Sequence, residues 1–409
     1  MVSVNCKGGL AMAVGQKERL PQLGIFRAIA ILGVLHVHAT SYAAGVQALD
    51  SPYYVILNFA NIFFKYGTPS FIFLSSFVLF YNYYERPLNC NLVKRFYGKR
   101  LGYILLPYMA ISIGYFFLYL QANGLLGQPV TEHLSSFVRK LMTGTAYTHL
   151  YFVFISVQFY ILFPFMLKLL QSSRFAVRWA IPIGLALQWI FIFLNKYEWQ
   201  IPNKGSYAIS YLAYYMMGAY VALHFNKLKG WLMASWRQMS SDHKRWTLLL
   251  WGYWLIVSLI HVALWYYGRH NGIWVNSLWY ELFWNVHTML SSLVLLQAAF
   301  RLYDQAAPGA VTFLIRLGEA AFAIYLVHPL ILAVYRRFRY HIPIDSFTYV
   351  VWVWGGLLAA LFISWLIVAF CFRYIPFAQL LLGSVPKSYA RAGNFKQGQV
   401  RGRAHKADT

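Results

Sequence analysis

Apolar and polar positions along this chain are grouped in long blocks, not spread with the short periods of a soluble sheet or amphipathic helix. Ten apolar runs, at about 22–43, 67–84, 101–121, 150–170, 179–195, 207–225, 246–266, 277–300, 312–335 and 347–372, approach the roughly 20 residues a helix needs to cross a bilayer. Each predicts one transmembrane helix. The run 52–64 is apolar but shorter and reads as an interfacial or re-entrant piece before the second span. The expected fold is therefore all-α, a polytopic membrane bundle of about ten transmembrane helices. No internal repeat is visible, and the loops are too short for a second, soluble module.

Composition supports this reading. Of 409 residues, 60% are hydrophobic and only 11% charged, against roughly 25% charged in a soluble domain. The formal net charge of +24 would raise nucleic-acid binding in a soluble protein. Here basic residues flank apolar spans, so anionic lipid is the expected partner and nucleic acid is not. With ten spans and a cytoplasmic N-terminus, 25 of the 35 Lys and Arg fall on cytoplasmic segments and nine on the other side. That bias predicts cytoplasmic N- and C-termini, although Arg336, Arg337 and Arg339 run against it. The expected organisation is a cytoplasmic segment over 1–19, a transmembrane domain over 20–376, and a basic, disordered cytoplasmic tail over 377–409. Met1 to Gln16 lack a cleavable secretory pattern. Cys6, Cys90 and Cys371 show no metal spacing and are expected to be reduced.

Ionisable groups inside a bilayer are costly, so each is a functional candidate. In the first span Arg27 and His38 are eleven residues apart. At 100° per residue they share a helix face, about 16 Å apart along the axis, while His36 lies about 160° away from His38. The pair reads either as a polar path through the bundle or as a structural histidine with an arginine reaching for the interface. His149, His261, Glu281, His287 and His328 fall at a depth similar to His38. If their faces converge they form an outward-facing polar pocket suited to acid–base chemistry, with Glu281 orienting a histidine or holding a hydroxyl. No HExxH or comparable spacing appears, so no metal is expected. At the opposite end, the stretch from Lys94 to Arg100 reads as an orientation signal or as a clamp for the phosphates of coenzyme A. No glycine-rich phosphate loop is present.

These residues carry a resemblance to the membrane acyltransferase family 3, whose members esterify surface glycans and lipids. It covers about Leu20 to Pro376. Arg27, ten residues and His38 match the family's first-span pattern, which implies a catalytic His38 with Arg27 as essential partner. Pro69 to Leu79 is similar to an aromatic run ending in Ser-Gly-aromatic, with Ser75 at the serine and Ser76 in place of the glycine. Lys99-Arg100-Leu101-Gly102-Tyr103 resembles an Arg-x-x-Arg element, with Arg100 at the first arginine and Tyr103 at the second. His149-Leu150-Tyr151-Phe152 resembles His-Leu-Trp-Phe, and Gly318 to Pro329, with His328, resembles the ninth-span signature. The resemblance implies an O-acyltransferase of the cell membrane, bacterial in type, that moves an acetyl or similar group from cytoplasmic acyl-CoA to an extracytoplasmic glycan or lipid-linked sugar. It uses acyl-CoA as co-substrate and holds no tightly bound cofactor. Arg27, His38 and Glu281 are the expected catalytic residues, and Arg100, Lys99, Tyr103, His149, His328 and Ser75 the expected substrate contacts. An exporter or flippase of polysaccharide or lipid-linked sugar is the rival function.

Overall fold

A computed structural model describes residues 17–389 and contains helices and no strands among them. Helices α1 (Gln22–Val46), α2 (Tyr54–Phe63), α3 (Gly67–Tyr83), α4 (Cys90–Ala122), α5 (Val130–Thr143), α6 (Tyr151–Ser172), α7 (Arg174–Arg178) and α8 (Ala180–Leu194) form the first half. Helices α9 (Leu212–Leu223), α10 (Phe225–Met233), α11 (Ser241–Asn271), α12 (Ser277–Gln305), α13 (Pro308–Arg337), α14 (Phe347–Tyr374) and α15 (Gln379–Leu382) form the second. Among the described residues nine helical segments are long and apolar enough to cross a membrane, and Ala208–Leu223 is a tenth, shorter apolar helix. The chain is an all-α polytopic bundle. The short segment tolerates its length because protein covers it: Leu212 to Ala219 are all buried, and α9 packs along α3 and α8.

Position in the bundle does not follow apolarity alone, since α11 and α14 are more apolar than α1 yet far less buried. In α1, alanines, glycines and branched aliphatics occupy nearly every face, and 67% of its central window is buried, against 28% in α11. It packs on α13, α2, α12, α14 and α3, which makes it the central helix. Its approach to α13 is closest where Gly24 meets Gly318: a Cβ on Gly318 would lie 1.8 Å from the Gly24 carbonyl oxygen.

Two expectations need correction. The 52–64 run is not a separate interfacial piece. Helix α2 packs on α1 and α11 and continues into α3 as one broken span, Tyr54–Tyr83, with the break at Phe64–Tyr66. Part of the proposed tail, residues 377–389, carries short helices. Helix α15 packs on α4, the Trp365 indole donates to Tyr389 Oη at 2.9 Å, and the Ser388 amide donates to Glu319 at 3.1 Å. Ala378 and Leu382 are buried in this stretch, contacts that a charge count misses. The rest of the proposed tail, 390–409, and residues 1–16 lie outside the described residues. Cys371 is free, whereas Cys90 is disulfide-bonded and so departs from the reduced state expected of it. Arg336, which runs against the charge bias, donates to the His38 carbonyl at 2.5 Å. It is used to hold the end of the central helix.

Candidate active site

His38 lies near the C-terminal end of α1, half-buried, on the wall of a cavity of about 370 Å³. Beside it stand two further imidazoles. The ring of His328, from α13, is centred 5.1 Å from His38, and that of His149, just before α6, 6.5 Å away. His149 and His328 are 5.8 Å apart. Both are fully buried and neither lines the cavity, so they back His38 and leave it the accessible member of the three. His328 donates from Nδ1 to the Ile324 carbonyl at 3.2 Å, which fixes its tautomer and leaves Nε2 as an unpaired acceptor. Tyr325 donates its hydroxyl to the His149 carbonyl. No group of three or more His, Cys, Asp or Glu among the described residues has metal-binding geometry.

The expected convergence of buried histidines is therefore partial. His261 and His287 form a separate pair, Nδ1 to Nδ1 3.1 Å, and of the two only His261 reaches the cavity. Glu281 also lines it, but in an ion pair with Lys204, and no hydrogen bond joins it to a histidine among the described contacts. His36 points elsewhere, as its angle on the helix requires: Nδ1 bonds the Leu32 carbonyl at 2.8 Å and the ring stacks on Phe64. Ser75 is half-buried in α3. The Ser76 hydroxyl donates to the Tyr215 carbonyl at 2.5 Å, and Gly218 of α9 faces it, so a small residue opposite accommodates a serine where the resemblance expects glycine.

At the other end of α1, Arg27 is half-buried and interacts electrostatically with Arg100, Tyr160 and Glu319. Arg100 also stands over the Tyr160 ring at 5.7 Å. Tyr103 is 45% exposed on the outer face of α4, and the Lys99 side chain lies outside the described residues. Arg27 and His38 are not joined by one open groove. On their shared face stand Ile31 and Val34. Val34 lines the cavity, whereas Ile31 is completely buried against α13 and Arg27 is not part of the cavity wall.

Sequence reasoning did not bring the aromatic part of the wall together. Tyr151, Tyr211, Trp265, Tyr280 and Trp284 supply an aromatic part of the wall, and Lys65 enters from the break between α2 and α3. Besides Tyr151 in its motif, the signal in the sequence is the density of Trp and Tyr in the last turns of α11 and the first of α12.

A membrane-embedded helical bundle whose accessible histidine faces an aromatic, partly charged cavity, with an arginine cluster at its other end, has the arrangement of an integral membrane transferase. The family model Acyl_transf_3, an acyltransferase domain, matches residues 20–369, and the chain belongs to this family. It is a multi-pass membrane acyltransferase. Neither a curated protein nor a solved structure matches it.

Proposed function

We propose that the protein transfers an acyl group from cytoplasmic acyl-CoA to a hydroxyl of an extracytoplasmic glycan or lipid-linked sugar, with His38 as the general base. The observation that carries this reading is the accessibility of His38 in the cavity, with His149 and His328 sealed behind it. The excess of basic residues on the segments at the Arg27 end supports a cytoplasmic position for that end and an outward-facing cavity. The family's Arg and His positions are occupied at opposite ends of one helix.

In the proposed reaction an imidazole nitrogen of His38 takes the proton of the acceptor hydroxyl as its oxygen attacks the thioester carbonyl. The carbon–sulfur bond then breaks, and the departing thiolate takes the proton back from the imidazolium. The products are the ester and free coenzyme A. Arg27 and Arg100 hold the donor's phosphates. Ile31 blocks the direct line between the two ends, so the acyl arm reaches His38 when packing between α1 and α13 loosens. The unpaired Nε2 of His328, on a ring centred 5.1 Å from that of His38, is available to accept an N–H from His38, and such a bond would turn the other ring nitrogen of His38 to the substrate. Exchanging His328 for phenylalanine should lower kcat about ten- to a hundred-fold through misplacement while leaving the KM for the donor nearly unchanged. A proportionate rise in KM instead would assign His328 to binding.

The experiment that separates transferase from exporter compares surface glycan from cells with and without the protein. A transferase changes ester content, read by mass spectrometry, at constant glycan amount. Constant ester content per sugar with altered amount exported overturns the proposal.

A further inference from the structure

The cavity carries positive charge that the protein does not neutralise. Its wall contains one carboxylate, Glu281, which is paired with Lys204. Lys65 has no carboxylate partner among the described residues, and its ammonium group stands 4.4 Å from the centre of the Trp265 ring. Arg269 lies against the same ring at 4.9 Å. Its guanidinium donates to the neutral amide oxygens of Asn58, at 3.1 Å, and Asn61, at 3.5 Å, and no carboxylate among the described residues pairs with it. Two cations thus share one indole, Lys65 within the broken span Tyr54–Tyr83 and Arg269 in the last turn of α11, and an uncompensated charge at membrane depth is expensive.

Three further features point the same way. Lys65 sits at the break between α2 and α3, and irregular backbone at membrane depth is tolerated where it lines a cavity. The first turn of α3, Gly67 to Pro69, also lines this cavity, presenting the positive end of a 17-residue helix. The wall also holds unpaired polar atoms: Nε2 of the fully buried His261 and Oη of Tyr280 have no hydrogen-bond partner. A neutral sugar accounts for the aromatic residues of the wall, but it leaves the cations without a counter-charge.

We infer that the acceptor is an acidic sugar, bearing a carboxylate or a phosphate that Lys65 binds while Trp265 packs against the sugar ring. The inference rests on reading this cavity as the acceptor site. Charge-assisted bonds to a partly desolvated ammonium are stronger than neutral ones, so loss of the charge on either side should be measurable. Lys65 then selects among acceptors, and His38 performs chemistry on those selected.

The test uses the full-length protein in lipid nanodiscs, with methyl glucuronoside, its uncharged methyl ester and glucose phosphate as probes in saturation-transfer NMR titrations. The wild type should bind the acid or the phosphate roughly ten-fold more tightly than the ester, and the preferred anion identifies the source of the charge. In Lys65→Gln the preference should disappear, and in Lys65→Arg it should persist, which separates a lost charge from a lost fold. Equal binding of acid and ester by the wild type, or a preference that survives in Lys65→Gln, overturns the inference. So does a Lys65-dependent preference for succinyl-CoA over acetyl-CoA with no discrimination among acceptors, because the anion would then belong to the acyl group. Acyl transfer measured in the same preparations keeps the two readings apart. Lys65-dependent anion binding without His38-dependent transfer sinks the acyltransferase site and leaves the anion site standing. His38-dependent transfer to neutral sugars alone does the reverse.

Discussion

Replacing His38 with alanine is expected to abolish acyl transfer, by about a thousand-fold or more, while the protein still inserts and accumulates in the membrane. General-base catalysis contributes roughly 10²–10⁴-fold on its own, and neither neighbouring imidazole can substitute, since both are buried and outside the cavity. The stability change should be small because His38 is half-buried and no ring hydrogen bond of its own is seen; the bond from Arg336 is to its backbone carbonyl. The matched control is His36→Phe. That ring stacks on Phe64 and lies off the cavity, so transfer should fall less than about ten-fold, far short of a lost general base. The measurement is acyl-group incorporation into glycan by membranes containing equal amounts of each variant. Substantial transfer by His38→Ala, or equal losses for the two histidines, would remove His38 from the mechanism.

The largest effect on folding is expected at Gly318. Any side chain there places a Cβ 1.8 Å from the Gly24 carbonyl oxygen, and the obstacle is backbone in the central helix, which cannot rotate away. Gly318→Val should force α1 and α13 apart and cost about 3 kcal/mol or more, at the upper end of overpacking penalties. Because α1 carries both Arg27 and His38, transfer should be lost together with thermal stability. Gly252→Ala in α11 is the control: nothing lies within 4 Å of the added Cβ, and the substitution should be neutral or stabilise by about 0.5–1 kcal/mol through helix propensity. The check is the melting temperature of each purified variant in detergent. A Gly318→Val protein that melts with the wild type would mean that the α1–α13 contact is not as drawn.

These two positions differ in how far the sequence exposes them. Arg27 and His38 can be matched by counting, because a helix places residues eleven apart on one face whatever surrounds it. Gly318 is visible only as one glycine in an apolar run. Its importance comes from Gly24, nearly three hundred positions earlier. The Lys204–Glu281 pair is hidden for the same reason. Seen along the chain, Glu281 reads as a free carboxylate available to a histidine, and only the folded bundle supplies the lysine that occupies it. Tyr103 shows the converse. Its register in the α4 motif suggests a binding residue, but the way α4 packs turns it to the outside.

The sequence by itself determined that this chain is a polytopic helical membrane protein, where most of its spans lie, which residue types inside them are unusual, and which family it resembles. Those properties are local: the length of an apolar run, the 3.6-residue turn and the cost of a charge in lipid act on each segment separately. The tertiary structure alone decided that α2 and α3 form one broken span with Lys65 at the joint, that the histidines divide into two groups, and that Ile31 closes the line between Arg27 and His38. Each depends on which faces of distant helices meet. In a chain where most faces are apolar, hydrophobic pattern cannot choose among them; small residues at the crossings and the few polar groups needing partners make that choice.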